Sequence, residues 1–340
     1  MRCALETLLA VAALAAGAPA GEPAGLPGRW EPLPPLPTPR HDLALIAAGG
    51  RAWAVAGAGD LTTGAVEVFD PRAGRWQAAE PIPRPRGWFA AALLGGKLYC
   101  AGGKRVRTDE QKQRSGDDAH YQYLASLDVY DLAAGRWSAG ADLPEPDAGL
   151  KAAALGGKLY VLGGNHHADR VWVYDPKADA WSAGPPLPEG RMAPGLEAVG
   201  GKLIVIGGWK QTERADVFVL DPAAGAWARG AAMPTPRRDF ATAVLDGRVW
   251  CIGGVNREGY VAAVEAYDPA ADRWFTAPPL PAGKAWLGAC VLDGCLYVAG
   301  GARKGEGEAP YAWLAEAELF VPDPSADAPD EQVALTWWGC

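Results

Sequence analysis

Gly157-Lys158-Leu159-Tyr160-Val161-Leu162-Gly163-Gly164 is the stretch that decides the fold. Before it runs the apolar segment Leu150 to Leu155, and Gly156-Gly157 between the two is a hairpin-turn signature. After it comes the alternating run Val171-Trp172-Val173-Tyr174, and Trp181 follows Tyr174 by seven residues. The unit therefore reads as four short strands with a glycine pair closing the second. Glycine pairs there suit a positive φ or a close backbone approach.

The same unit recurs along the chain. Gly96-Lys97-Leu98-Tyr99 leads to Gly102-Gly103, Gly201-Lys202-Leu203-Ile204 to Gly207-Gly208, Gly247-Arg248-Val249-Trp250 to Gly253-Gly254, and Gly294-Cys295-Leu296-Tyr297 to Gly300-Gly301. Gly50-Arg51-Ala52-Trp53 to Ala56-Gly57 is a degenerate first copy, making six. The second glycines at 57, 103, 164, 208, 254 and 301 are spaced by 46, 61, 44, 46 and 47 residues, so a single insertion, Lys104 to about Leu124, interrupts the period. Phe69 and Trp76, Tyr130 and Trp137, Leu220 and Trp227, and Tyr267 and Trp274 keep the separation of seven, which implies a constant turn. A four-stranded unit of this size cannot bury both faces alone, so neighbours must stack.

The last copy has Phe320 but no tryptophan seven residues later, while Trp30 near the start heads a spare strand. Residues 29–33 are expected to complete the sixth unit and remove two open sheet edges at once. With the Pro-x-Pro-Arg lead-ins, the double glycines and the spaced aromatic and Trp, residues 29 to about 321 resemble Kelch repeats. The resemblance implies an all-β, six-bladed β-propeller of four-stranded blades. It also implies a binding module as the ordinary role, and in known Kelch domains residues after the glycine pairs often contact the partner.

Composition sets the outer bounds. The chain has 340 residues, 49% of them hydrophobic, with 44 Gly and 30 Pro, enough apolar content for a large core. A formal charge of −8 argues against nucleic acid as the general partner. Arg2, the apolar run Leu8 to Ala16 and Ala18-Pro19-Ala20 read as a signal peptide over residues 1–20, although Glu6 sits awkwardly close to the apolar run. Domains are therefore 1–20, a propeller over 21–321 and a tail over 322–340, in a protein exported to a periplasmic or extracellular compartment. No later segment is apolar for long enough to span a membrane, and a monomer is expected. Of the cysteines left after Cys3, Cys100, Cys251, Cys290 and Cys295 read as small core residues and Cys340 as exposed. A hairpin turn at Asp293-Gly294 sets Cys290 diagonal to Cys295, a poor disulfide geometry.

Connections between second and third strands, and between one blade and the next, share one face of a propeller, and here they are the variable loops. Function is expected on that face. After the glycine pairs stand Lys104 and Arg105, Asn165-His166-His167, Trp209-Lys210, Asn256-Arg257 and Arg303-Lys304. The inter-blade loops supply Arg40, Arg86, Asp147, Arg191, Arg237 and Lys284, with Trp88 and Trp286 two residues behind theirs. The binding set is read as Arg86, Trp88, Lys104, Arg105, His166, His167, Trp209, Lys210, Asn256, Arg257, Trp286 and Arg303. Guanidinium with aromatics suits an anionic glycan or an acidic partner protein; the bland alternative is that the Pro-x-Pro-Arg arginines secure their loops. The 104–124 insertion is either a docking arm or a solvated loop. Lys151 and Glu197 share strand parity on neighbouring blades, predicting an ion pair in the central channel, structural or acid–base.

No catalytic set is complete. His41, His120, His166 and His167 do not supply the ligand pattern of the Kelch copper radical oxidases, so no metal and no cofactor is expected. The enzymatic alternative is the activity of another exported six-bladed Kelch group, which interconverts sialic-acid anomers. Glu197, His166, His167 and the arginines would supply its residue types.

Overall fold

A computed structural model describes residues 24–107, 120–305 and 311–323. Residues 1–20, the core of the 104–124 insertion, and the tail with Trp337, Trp338 and Cys340 lie outside the described residues. No helix among the described residues is long and apolar enough to cross a membrane.

Six blades, each built on four antiparallel strands and one of them extended by a short fifth, form a β-propeller. Blade 1 comprises Ala44–Ala48, Arg51–Ala58, Thr62–Asp70 and Arg75–Ala79. Blade 3 comprises Leu150–Leu155, Lys158–Gly163, Val171–Asp175 and Ala180–Ala183. The first strands contact one another in a closed cycle around the axis, Gly288–Leu292 of blade 6 meeting Ala44–Ala48 of blade 1. Blade 6 takes its outer strand from the chain's start: Gly28–Leu33 pairs with Ala317–Pro322, setting Trp30 opposite Phe320. Just upstream, Ala24–Gly25 lies parallel to the outer strand of blade 5, with the Leu26 N–H donating to the Thr276 carbonyl at 2.6 Å.

The seven-residue spacing is a register. Phe69 faces Trp76, Tyr130 faces Trp137, Tyr174 faces Trp181, Leu220 faces Trp227 and Tyr267 faces Trp274 across the outer strand pair. Each of the six indoles also donates its N–H to a carbonyl in the linker arriving from the preceding blade: Trp76 to Pro34, Trp137 to Glu80, Trp181 to Ala141, Trp227 to Pro185, Trp274 to Ala231 and Trp30 to Pro278. One residue type thus fills the outer core and clamps adjacent blades. The glycine pairs lie where the next blade's loop crosses: a Cβ on Gly300 would sit 2.6 Å from the Arg40 carbonyl oxygen, and the Gly301 N–H donates to that oxygen.

The Pro-x-Pro-Arg arginines do not line a binding surface. Arg40, Arg86, Arg191, Arg237 and Lys284 are buried, and four of them pair with an acid on the third strand of their own blade: Arg40 with Glu67, Arg86 with Asp128, Arg237 with Glu265 and Lys284 with Glu318. Arg191 stands 3.7 Å from Asp216. Arg86 also donates to the Gly102 and Ser126 carbonyls. Its expected place on the binding face is therefore corrected. The loop must cross a sheet end rich in unpaired carbonyls, and a guanidinium beside a carboxylate is the group that satisfies them.

The four core cysteines are free. Cys100, Cys251 and Cys290 are buried, and Leu292, not Cys290, faces Cys295. Burial pushes the Cys100 and Cys290 thiols up to about 12, so they are inert thiols of the interior.

Candidate functional site

On the loop face the connections after the glycine pairs form small hairpins. Lys104–Val106 pairs with Tyr121–Tyr123, Trp209–Lys210 with Thr212–Glu213, Val255–Asn256 with Gly259–Tyr260, and Ala302–Lys304 with Tyr311–Trp313. Each is tied to its blade's lead-in loop by a backbone bridge, as Gly87 to Lys104 and Met192 to Trp209. Blade 3 has no such hairpin; there the Asn165 N–H donates to the Ala148 carbonyl.

Inside this wall runs a ring of six equivalent residues, one per blade: Asp42, Trp88, Gly149, Ala193, Asp239 and Trp286. All six have φ between 48° and 76°. Backbone hydrogen bonds link them from blade to blade: the Asp42 N–H donates to Trp286, Trp286 to Asp239, Asp239 to Ala193 and Gly149 to Trp88. Left-handed backbone costs about 1–3 kcal/mol for bulky or β-substituted residues, and glycine would adopt it freely.

The ring forms a neck of about 40 Å³ between a mouth cavity of about 350 Å³ and the central channel of about 400 Å³. Trp88, Lys104, Asn165, Met192, Trp209, Arg238, Asp239 and Trp286 line the mouth. Aromatic rings continue along one side in unbroken contact. Tyr121 meets Trp88, Trp88 meets His41 at 5.2 Å, His41 stacks on Trp313 at 4.4 Å, Trp313 on Tyr311, Tyr311 meets Trp286, and Trp286 meets Tyr260. The Lys104 ammonium lies 4.1 Å over the Trp88 ring and 4.0 Å over Tyr121, with no carboxylate within 4 Å among the described residues. Burial pulls its pKa down, opposed by the charges of Asp42 and Asp239. Burial and the neighbouring Asp42 push Asp239 up to about 6, against Arg238 and Lys151.

The residues expected on this face divide by position. Trp88, Lys104, Trp209 and Trp286 share the mouth. Arg105 turns to Gln122 on the outer side of its hairpin, Lys210 is exposed, and Arg257 is 87% exposed beside Glu258. The Asn256 side-chain oxygen accepts the Glu258 N–H within its own turn. Arg303 pairs with Glu316 and faces an outer groove with Trp30 and Pro281. His166 and His167 fold onto Asp147, whose buried carboxylate accepts the backbone N–H groups of Asn165, His166 and His167. Lys151 and Glu197 both line the channel, yet no ion pair forms between them within 4 Å. Burial instead pushes Glu197 up to about 7, with Thr242 and the more distant Lys151 holding it from going further. Sequence reasoning missed His41, Asp42, Arg238, Asp239, Tyr260, Tyr311 and Trp313. Asp42 and Asp239 stand two residues after Arg40 and Arg237, the offset that marks Trp88 and Trp286. Among the described residues no group of three or more His, Cys, Asp or Glu is arranged to hold a metal ion.

A family model described as the KLHDC2/KLHL20/DRC7 Kelch-repeats domain matches residues 116–301, and the Kelch motif matches residues 85–144. The chain belongs to the Kelch-repeat family. No curated protein matches it. Among solved structures, "Structure of YjhT" aligns with a TM-score of 0.69 at 18% identity, covering 84% of this chain and 95% of that one, which is a likeness of fold. In this Kelch propeller the repeat residues are consumed by the scaffold, so the chemistry that distinguishes the chain lies in the ring and hairpins of the mouth.

Proposed function

We propose that this Kelch propeller is an exported binding module that takes an anionic glycan at the mouth of its loop face. The observation that carries the reading is the set of three indoles, Trp88, Trp209 and Trp286, lining the mouth, with the Lys104 ammonium held over Trp88 and Tyr121. Flat aromatic faces receive the C–H face of a sugar ring, and an ammonium with no carboxylate within 4 Å among the described residues is placed to take the ligand's acidic group. A protein partner would be expected to use a broader, flatter surface with a buried apolar centre. The test is a glycan array followed by titration. Replacing Trp88 and Trp286 together with Ala should abolish binding, and Lys104→Gln should erase the preference for carboxylated over neutral glycans. Unchanged binding by both variants would reject the site. Amino-terminal sequencing of the protein recovered from the producing cells should begin near residue 21 if the leader is removed.

A second reading, exchange of sugar anomers, is favoured by Asp239, a carboxyl pushed up to about 6 at the floor of that aromatic cup, where it can pass a proton to or from a hydroxyl. It requires faster anomer exchange of sialic acid in NMR with the protein than without it; no acceleration at high protein concentration eliminates it.

A further inference from the structure

The central channel below the neck holds two opposite charges that do not meet. Lys151 of blade 3 pairs in register with Leu162, and the matching first-strand positions of the other blades are Ala44, Ala90, Gly195, Ala241 and Gly288. Glu197 of blade 4 lies opposite Ile204, one step further along the axis, where blades 2, 3 and 5 carry Ala92, Ala153 and Ala243. Small residues at these levels leave a cavity of about 400 Å³, in which Lys151, Glu197 and Thr242 interrupt a wall rich in Ala, Leu and Val. Both charged side chains are half-buried, and the space they open onto is this channel. The Lys151 ammonium makes no hydrogen bond and no ion pair among the described residues; Glu197 and Asp239 feel its charge only from beyond 4 Å. An ammonium in a largely apolar enclosure, without a single protein acceptor, is a group whose partner comes from outside the chain.

From this geometry we infer that the channel is a binding site for a small aliphatic monocarboxylate, one of its oxygens accepting from the Lys151 ammonium, the other from the protonated Glu197 carboxyl, and its alkyl body lying against the alanine wall. A carboxylate suits the gap because its two oxygens can accept from donors on opposite sides at once. One cation matches one negative charge; a second charge on the ligand would be buried without a partner, and the apolar wall offers it nothing. The site is separate from the mouth. A neck of about 40 Å³ divides the two cavities, so a saccharide held by the indoles above does not reach Lys151, and the channel site stands or falls independently of the glycan reading.

Binding is coupled to a proton. Burial raises the Glu197 carboxyl to about 7, with Thr242 of blade 5 and Lys151 of blade 3 pulling it back. The other titratable group that senses Glu197 is Cys251 of blade 5, which burial keeps protonated, and Asp239 faces Lys151 from the neck. Below pH 7 the Glu197 carboxyl is a donor and tolerates an anion beside it; above pH 7 it is itself an anion and repels one. A bound carboxylate in turn favours the protonated form, so at slightly alkaline pH the ligand brings a proton in with it.

The experiment uses the full protein and two probes of nearly equal shape, butyrate and the neutral butyramide, titrated by NMR with carbonyl-labelled ligand. At pH 6 butyrate should bind at least about tenfold more tightly than butyramide, and its affinity should fall at least about fivefold by pH 8.5, where the free acid form of Glu197 is scarce. Calorimetry at pH 7.5 in buffers of different ionisation enthalpy should register proton uptake. Lys151→Met should abolish the preference for butyrate at both pH values. Glu197→Gln, which keeps a donor at that point, should bind butyrate with equal affinity at pH 6 and pH 8.5 and take up no proton; because it removes a buried charge, it keeps the test open should Lys151→Met fail to fold. Butyrate that binds no better than butyramide, affinity that ignores pH in the wild type, or binding that is lost with Lys104→Gln and kept with Lys151→Met overturns the channel site.

Discussion

Replacing Glu197 with Gln should make the protein more stable, and only above about pH 5. Glu197 lines the central channel on Gly195–Val199, where burial raises its carboxyl from an ordinary 4.5 to about 7. Below pH 4.5 the carboxyl is protonated in both folded and unfolded chains and contributes no difference. Between pH 4.5 and 7 the unfolded chain releases its proton while the folded one retains it, so stability falls as pH rises, and above pH 7 the loss is complete. At about 1.4 kcal/mol per pKa unit, the deficit reaches about 3 kcal/mol. Gln keeps the shape and removes the charge, but gives up the favourable interactions with Lys151 and Thr242, so a gain of about 1–3 kcal/mol at pH 8 is expected. Urea unfolding at pH 4 and pH 8 measures it: the variant should match the wild type at pH 4 and exceed it at pH 8. A gain of equal size at both pH values, or a Gln variant weaker at pH 8, would refute the argument that a buried charge is responsible. Lys151→Met supplies the complementary sign, because losing that cation should push Glu197 higher and steepen the wild-type loss.

Arg86→Ala should cost about 3–5 kcal/mol by stranding Asp128 and the Gly102 and Ser126 carbonyls, whereas Arg257→Ala, at a solvated turn, should leave the melting temperature unchanged. Deleting residues 21–33 should expose the edge of Ala317–Pro322 and produce concentration-dependent self-association in sedimentation, since that edge loses its only outer partner. Asp147→Arg should destabilise by about 2–4 kcal/mol, because blade 3 has Trp172 where four of the other five blades have the acid; Asp147→Arg combined with Trp172→Glu should recover part of the loss in a double-mutant cycle.

The architecture was legible because its determinants are local and repeated. A seven-residue spacing fixes a cross-strand pair whatever the rest of the chain does, so Tyr174 and Trp181 could be placed without coordinates, and so could Trp30 opposite Phe320. The direction in which a loop side chain points is a different kind of question. Arg86 and Trp88 are two residues apart on one loop, yet the first runs inward to Asp128 and the second faces the mouth, because left-handed backbone at Trp88 turns the chain between them. Nothing in the local pattern encodes that turn, since Trp is a poor residue for it.

Comparison among the blades still carried a usable signal. Glu67, Asp128, Glu265 and Glu318 occupy one interior position of the third strand, flanked by apolar residues, in the four blades whose loop cation pairs most closely. In blade 3 the cation becomes Asp147 and the acid becomes Trp172 together; in blade 4 Phe218 takes the acid's place, Asp216 stands two residues earlier, and the distance to Arg191 opens to 3.7 Å. In blade 3 the cation and the acid are absent together, and in blade 4 the retained Arg191 turns to Asp216 instead, because a buried cation alone leaves an uncompensated charge. A side chain committed to such a pair cannot also hold a ligand. Taking the paired positions away leaves the residue two places further on, Asp42, Trp88, Gly149, Ala193, Asp239 and Trp286, as the set free to vary in size and charge.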